Sequence, residues 1–189
     1  MSLEADLEAI LRRSASMMHV LETARTLALP EWLLFSGAVY QRVLNDRTGR
    51  PLDYGIKDYD LGYFDPDTSY EAEDSIITQV AEAFEPPLRE MVEVRNQARV
   101  HLWFEAKFDE PYAPLATTTE ALKRFVSPLF AVGVRLEADD TFTVVAPFGL
   151  EDLFALELRP NPLRVTNGLD RTAASVTARW PEIKVFRSA

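Results

Sequence analysis

Residues 33–64 read LLFSGAVYQRVLND (33–46), RTGRPLDYGIK (47–57) and DYDLGYF (58–64), and the order of elements in this stretch decides the fold. Leu33–Phe35 predicts a short buried strand that breaks at Ser36-Gly37. Val39, Val43 and Leu44 then fall on one helical face. A polar, turn-rich segment follows, and Asp58–Phe64 predicts a strand in which Asp58 and Asp60 alternate with Tyr59 and Leu61. Successive strand side chains point to opposite faces, so the two carboxylates share a face with Gly62 beside them, about 6–7 Å apart from the rise of a strand. Like charges held that close repel unless something positive lies between, and a divalent cation is the usual answer.

The rest of the composition narrows the chemistry. A chain of 189 residues suits one domain with a sizeable core, and 47% apolar with 26% charged residues is ordinary for a globular protein. With no cysteine, and only His19 and His101, thiolate and multi-histidine metal sites are excluded. No run of 18 apolar residues or basic leader is present, so a cytoplasmic protein without membrane contact is expected. The net charge of −10 disfavours a long nucleic-acid partner. Locally the sign reverses: Arg42, Arg47, Arg50 and Lys57 outnumber Asp46 and Asp53. That is either a solvated loop or a phosphate-holding one.

Outward from the central stretch, Leu3, Leu7, Ile10, Leu11, Met17, Met18, Leu21, Ala24 and Ala28 form a stripe interrupted only at Ser14. They predict one long amphipathic helix, ended by Pro30, with His19 at its boundary. Residues 69–84 predict a helix stopped by Pro86-Pro87. Met91–Val94 and Ala98–Phe104 alternate like strands, as one bent strand or two pieces, which puts Arg99, His101 and Trp103 on one face and Asn96 at a bend. Thr117 and Glu120 have the form of a capping box for a helix to about Phe125. Ala131–Leu136 and Thr141–Val145 flank a hairpin turn. A short helix over 150–158, with Asp152 in its first turn, and a last helix over 169–179, capped by Asn167, complete the pattern. The expectation is a single α+β (α/β-like) domain, a mixed β-sheet flanked by helices: an N-terminal helix (1–30), a core (31–162) and a C-terminal helical appendage (163–189).

A glycine opening a helix after a buried strand leaves backbone N–H groups free to face an anion. Set one element before Asp-x-Asp, it joins an anion site to a cation site, the combination that suits a nucleoside triphosphate with Mg²⁺. The turn, the helix and the Asp-x-Asp strand resemble the DNA polymerase beta-like nucleotidyltransferase superfamily. KDYDLGYFD (57–65), VRNQARVHLWFE (94–105) and APFGLEDLFALELRPNP (146–162) resemble more closely a bacterial family of nucleotidyltransferase-like proteins. The resemblance implies a nucleotidyltransferase fold, with Asp58 and Asp60 holding Mg²⁺ (or Mn²⁺) and Ser36-Gly37-Ala38 facing phosphate. Ala38 departs from the superfamily, which commonly has serine after the glycine. A third carboxylate is implied on a later strand; Glu93 is favoured and Glu105 competes. Arg42 and Lys57 are further candidate phosphate contacts. Arg99, His101 and Trp103 read either as a base or acceptor pocket or as a second core. The function so implied is transfer of a nucleoside monophosphate from a nucleoside triphosphate to a small-molecule or protein acceptor; the alternative is an inactive nucleotide-binding or interaction protein on the same fold.

Overall fold

The computed structural model describes residues 2–163 and 168–187. Two helices, α1 (Leu3–Arg12) and α2 (Ala15–Leu27), replace the single one expected. The reason is Ser14, whose backbone is extended and whose side chain accepts from the Met17 N–H at 3.2 Å. That hydroxyl offers the chain a helix start where the apolar stripe alone reads as continuous. Leu7, Leu11, Met17 and Leu21 are fully buried, each stabilising by about 1.5–3 kcal/mol relative to exposure.

The chain continues through β1 (Leu33–Phe35), α3 (Gly37–Arg47), β2 (Tyr59–Tyr63), α4 (Tyr70–Glu82), α5 (Leu88–Met91), β3 (Val92–Asn96) and α6 (Phe104–Phe108). Then come β4 (Gly133–Leu136), β5 (Phe142–Val145), α7 (Glu151–Phe154), β6 (Glu157–Leu158), α8 (Leu169–Arg179) and β7 (Lys184–Val185). Five strands form one mixed sheet in the order β3-β2-β1-β4-β5, antiparallel except for the β2–β3 pair. The expected hairpin is β4–β5, and β6 and β7 form a separate parallel pair.

Alternation gives this sheet two unlike faces. Leu34, Tyr59, Leu61, Tyr63, Val94 and Val134 lie in the main core with the helices. The opposite face carries Asp60, Gly62, Glu93 and Arg95, and its apolar cover is a small cluster of Leu33, Phe35 and Leu122 with Phe125 and Val145 packed against it.

Three expectations fail after β3. Ala98–Phe104 is not a strand: Gln97–Leu102 is a 3-10 helix that leads into α6. Asn96, 1% exposed, decides this. Its carboxamide accepts from the Ala98 N–H at 3.0 Å and the Asp65 N–H at 3.1 Å, and donates to the carbonyls of Asp65 and Asp67. A side chain that occupies backbone donors this way turns the chain out of the ladder. Thr117 makes no side-chain cap, and Thr118–Arg124 is a 3-10 helix; Glu120 instead accepts from the Ala116 N–H at 2.7 Å. The helix expected over 150–158 stops at Phe154, and Glu157–Leu158 is strand β6 instead; Asp152 is in the first turn of α7, as expected, and pairs with Arg159 at 3.2 Å. Asn167, expected to cap the last helix, lies outside the described residues.

The C-terminal helix packs into the same core as the rest. Trp180, fully buried, donates from Nε1 to Asn45 Oδ1 at 2.9 Å, and Asn45 Nδ2 donates to the carbonyls of Leu52 and Tyr54. These bonds fasten the end of α8 to α3 and to the loop that leads into Asp58.

Candidate active site

The turn between β1 and α3 is built on strain. Ser36 has φ 62° and ψ −144°, a region that favours glycine, at a cost of about 1–3 kcal/mol. Its side chain makes no helix cap and donates instead to Asp60. The N–H groups of Val39 and Tyr40 return to the Ser36 carbonyl at 3.1 and 3.2 Å. Those of Gly37 and Ala38 are the first-turn amides that a helix leaves without intrahelical acceptors. A side chain on Gly37 would start 2.7 Å from Gln41 Nε2 and 3.8 Å from Asp58 Oδ1, so glycine lets both close over the turn.

Around this turn lies a polar cavity of about 490 Å³. Ser36, Gly37, Tyr40 and Gln41 line it from the turn and α3, and Gly55, Lys57, Asp58 and Asp60 from the loop and β2. Ser175, Ala178 and Arg179 of α8 close the far side. Asp58 immediately precedes β2, and the parallel register sets Glu93, exposed, beside Asp60 on the open face. Burial pushes the Asp60 carboxyl up to about 6 against the hydrogen bond from Ser36; the negative charges of Asp58 and Glu93 push the same way. The Asp60 carboxylate thus has two negative neighbours and too little positive charge to offset them, of which Arg95 supplies only part.

The structure brings together Ser36, Gly37, Lys57, Asp58 and Asp60, with Glu93 at the rim beside Asp60. It does not bring the side chains of Ala38 or Arg42. The Ala38 side chain is buried in the core, so the methyl that replaces the superfamily's hydroxyl points away from the cavity. Arg42, 0% exposed, donates to the Ala38 carbonyl, Ser14, Ser16, Asp53 and the Tyr59 hydroxyl. As a brace it cannot also reach a phosphate. Asp53 is drawn down in consequence: burial alone would raise it, but Ser14, Arg42 and Ser16 outweigh that. Glu105 is exposed on α6, outside the sheet. The 3-10 turn scatters the remaining candidates. Arg99 meets Glu73 at 3.0 Å and the Thr68 carbonyl, His101 Nδ1 is buried without a hydrogen-bond partner among the described residues, and Trp103 lines a different cavity.

Two further cavity residues, Gln41 and Arg179, are not among the expected site residues. Gln41 follows Gly37 by one helical turn and shares its face, which spacing alone suggests. Arg179 is reached only through the tertiary fold; its Nη1 lies 3.3 Å from Gln41 Oε1, and its guanidinium rests 4.4 Å above the Trp180 ring.

The donor set suits a hard cation. Among the described residues no three His, Cys, Asp or Glu side chains gather as a ready-made cage. Two carboxylates on one side of an open cavity fit an ion shared with substrate phosphates, as Mg²⁺ is commonly held.

Gly62 matters to the neighbouring surface. A Cβ there would lie 2.5 Å from the Phe35 ring. Gly62→Ala is therefore expected to displace that ring and lower stability by about 1–3 kcal/mol, measured by chemical denaturation; an unchanged midpoint would show that the ring moves freely.

A mixed sheet with acidic residues on its open face, beside a strained turn at a helix N-terminus, is the plan of a nucleotide-transferring domain. Residues 22–185 match the sequence profile of a family described as Nucleotidyltransferase, and the chain belongs to that family. No curated protein is significantly similar to it. A solved structure, described as an NMR structure that reveals a CCA-adding enzyme head domain, has the same fold: the TM-score is 0.74 over 96% of each chain, at 24% identity. Among the described residues no helix is long and apolar enough to cross a membrane.

Proposed function

We propose that the protein transfers a nucleoside monophosphate from a nucleoside triphosphate to an acceptor with the help of Mg²⁺ or Mn²⁺. The observation that carries this reading is the shared cavity, whose lining brings an Asp58/Asp60 pair together with Gly37 at the start of α3 and with the cations Lys57 and Arg179. The β- and γ-phosphates would lie against Gly37 and Ala38 N–H, where backbone donors and the helix dipole favour negative charge. Lys57 and Arg179 would offset further charge. Asp58 and Asp60, with Glu93 at the edge, would hold the metal, which supplies charge neutralisation at the phosphate oxygens. An acceptor oxygen then bonds to the α-phosphorus while the bond to the α,β-bridging oxygen breaks. Pyrophosphate leaves with that electron pair, and Glu93 takes the acceptor's proton. The acidic surface favours a small-molecule or protein acceptor over a long nucleic acid.

The test is thermal melting with each nucleoside triphosphate, with and without Mg²⁺ or Mn²⁺. A rise that needs both nucleotide and metal is expected, since a ligand that binds only the folded state stabilises it; no rise with any pair would sink the reading. Arg179→Gln removes one charge-assisted contact worth about 1.5–3 kcal/mol. It is expected to weaken nucleotide binding roughly 10- to 100-fold by titration calorimetry, with little change in the ligand-free melting point.

A further inference from the structure

A second cavity, of about 250 Å³, opens on the same face of the sheet. Along β2 and β3 the polar cavity lies at the Asp58 end, Asp60 and Glu93 come next, and Gly62 pairs with Arg95 beyond them. At that end Phe35, Trp103, Phe104, Tyr112 and Phe125 wall the second cavity. The Phe104 and Tyr112 ring centroids stand 4.4 Å apart. Two cations break this aromatic wall. Arg124 stacks 5.4 Å over Tyr112, and Arg95 donates to the Val94 carbonyl at 3.0 Å; among the described residues neither is in an ion pair.

We propose that this aromatic cavity is the acceptor site, and that the acceptor is a small molecule with a planar apolar body and an anionic group. The assignment as acceptor rests on the nucleotidyl-transfer reading. In phosphoryl-type displacement the attacking and leaving oxygens are roughly in line, so acceptor and pyrophosphate occupy opposite sides of the α-phosphorus. With pyrophosphate at the α3 turn and the α-phosphate at the carboxylates, the opposite side is the Glu93 and Arg95 side. Size and charge set the ligand class. A cavity of about 150 Å³ holds one benzene ring, so this one accommodates about two fused rings. The stacked Arg124 guanidinium, with Arg95 as a second cation beside an apolar wall, selects a carboxylate or phosphate on that body. Glu93, between the two cavities, is placed to receive the proton of a hydroxyl on the same molecule.

The probe is 2-naphthoate, compared with the neutral 2-naphthamide, titrated calorimetrically into the full chain alone and with saturating Mg²⁺ and α,β-methylene-ATP. 2-Naphthoate is expected to bind at least about tenfold tighter than the amide, a margin typical of a charge-assisted contact. Arg124→Gln is expected to erase that preference while the amide's affinity stays within about twofold, and Asp58→Asn/Asp60→Asn is expected not to weaken naphthoate. Equal binding of the two probes, no binding, or no effect of Arg124→Gln would overturn the ligand class. Displacement of naphthoate by the nucleotide analogue would overturn the acceptor role, because the nucleoside then fills the cavity. Naphthoate binding without any nucleotide binding would sink nucleotidyl transfer and leave the ligand class standing.

Discussion

Asp58→Asn/Asp60→Asn is expected to abolish Mg²⁺-dependent nucleotide binding and turnover while raising the melting point at pH 8. The two effects have one cause. Asp60 sits at a site where burial, Asp58 and Glu93 disfavour its charge, so its carboxyl titrates near 6 rather than 3.8. An acid whose folded pKa is raised binds its proton more tightly in the folded state. Its contribution is therefore most favourable below about 3.8 and is lost as pH rises through about 6. A tenfold difference in proton affinity between the folded and unfolded chain is worth about 1.4 kcal/mol, and partial exposure reduces the total penalty at pH 8 to the order of 2 kcal/mol. For a chain of this length that is about 4–8 °C. Asp60→Asn alone is expected to deliver most of this gain at pH 8 and almost none at pH 3.5. Melting curves at the two pH values, with nucleotide titrations beside them, check both halves. A variant that melts lower at pH 8, or that still binds Mg²⁺ and nucleotide normally, would overturn this account of the site.

Arg42→Met is expected to do the opposite: lower stability with a far smaller effect on the nucleotide affinity of the folded molecule than Arg179→Gln has. Arg42 is wholly buried and joins α2's start, α3, Asp53 and Tyr59 through its guanidinium. Removing it takes away the Tyr59 hydroxyl's guanidinium partner and Asp53's cation, while Ser14 keeps its bonds to Met17 N–H and Asp53, and breaking a buried pair costs about 3–5 kcal/mol. Because Asp53 is 56% exposed on its side chain, the lower end, about 3 kcal/mol, is expected. This corresponds to a fall of roughly 6–12 °C. A phosphate ligand would behave in reverse, with affinity lost and the melting point kept. Denaturant midpoints and calorimetric titration on one preparation separate the two.

Much of the fold was legible because its signals are local. The break at Ser36-Gly37, the alternation around Asp60, the helix before Pro86-Pro87 and the hairpin are written in neighbouring residues, and each formed. The misreadings share a different cause. Alternating polarity over Ala98–Phe104 cannot tell a strand from a 3-10 turn when Asn96, a few residues earlier, has its carboxamide engaged by the Asp65–Asp67 loop. Nor does the apolar stripe over 3–28 reveal that Ser14 also serves Arg42, twenty-eight residues on.

By itself the sequence determined most of the element types, the facing of Asp60 away from Tyr59 and Leu61 with Asp58 just before that strand, and the presence of a glycine where α3 begins, since each depends on backbone periodicity and turn chemistry within a few residues. Only the tertiary structure decided which charges work together. Register across β2–β3 put Glu93 rather than Glu105 beside Asp60, and core packing turned Arg42 inward. The Trp180–Asn45 bond brought Arg179 to the cavity. Long side chains from distant segments are placed by the burial of their neighbours, and that burial is settled only when the whole core closes.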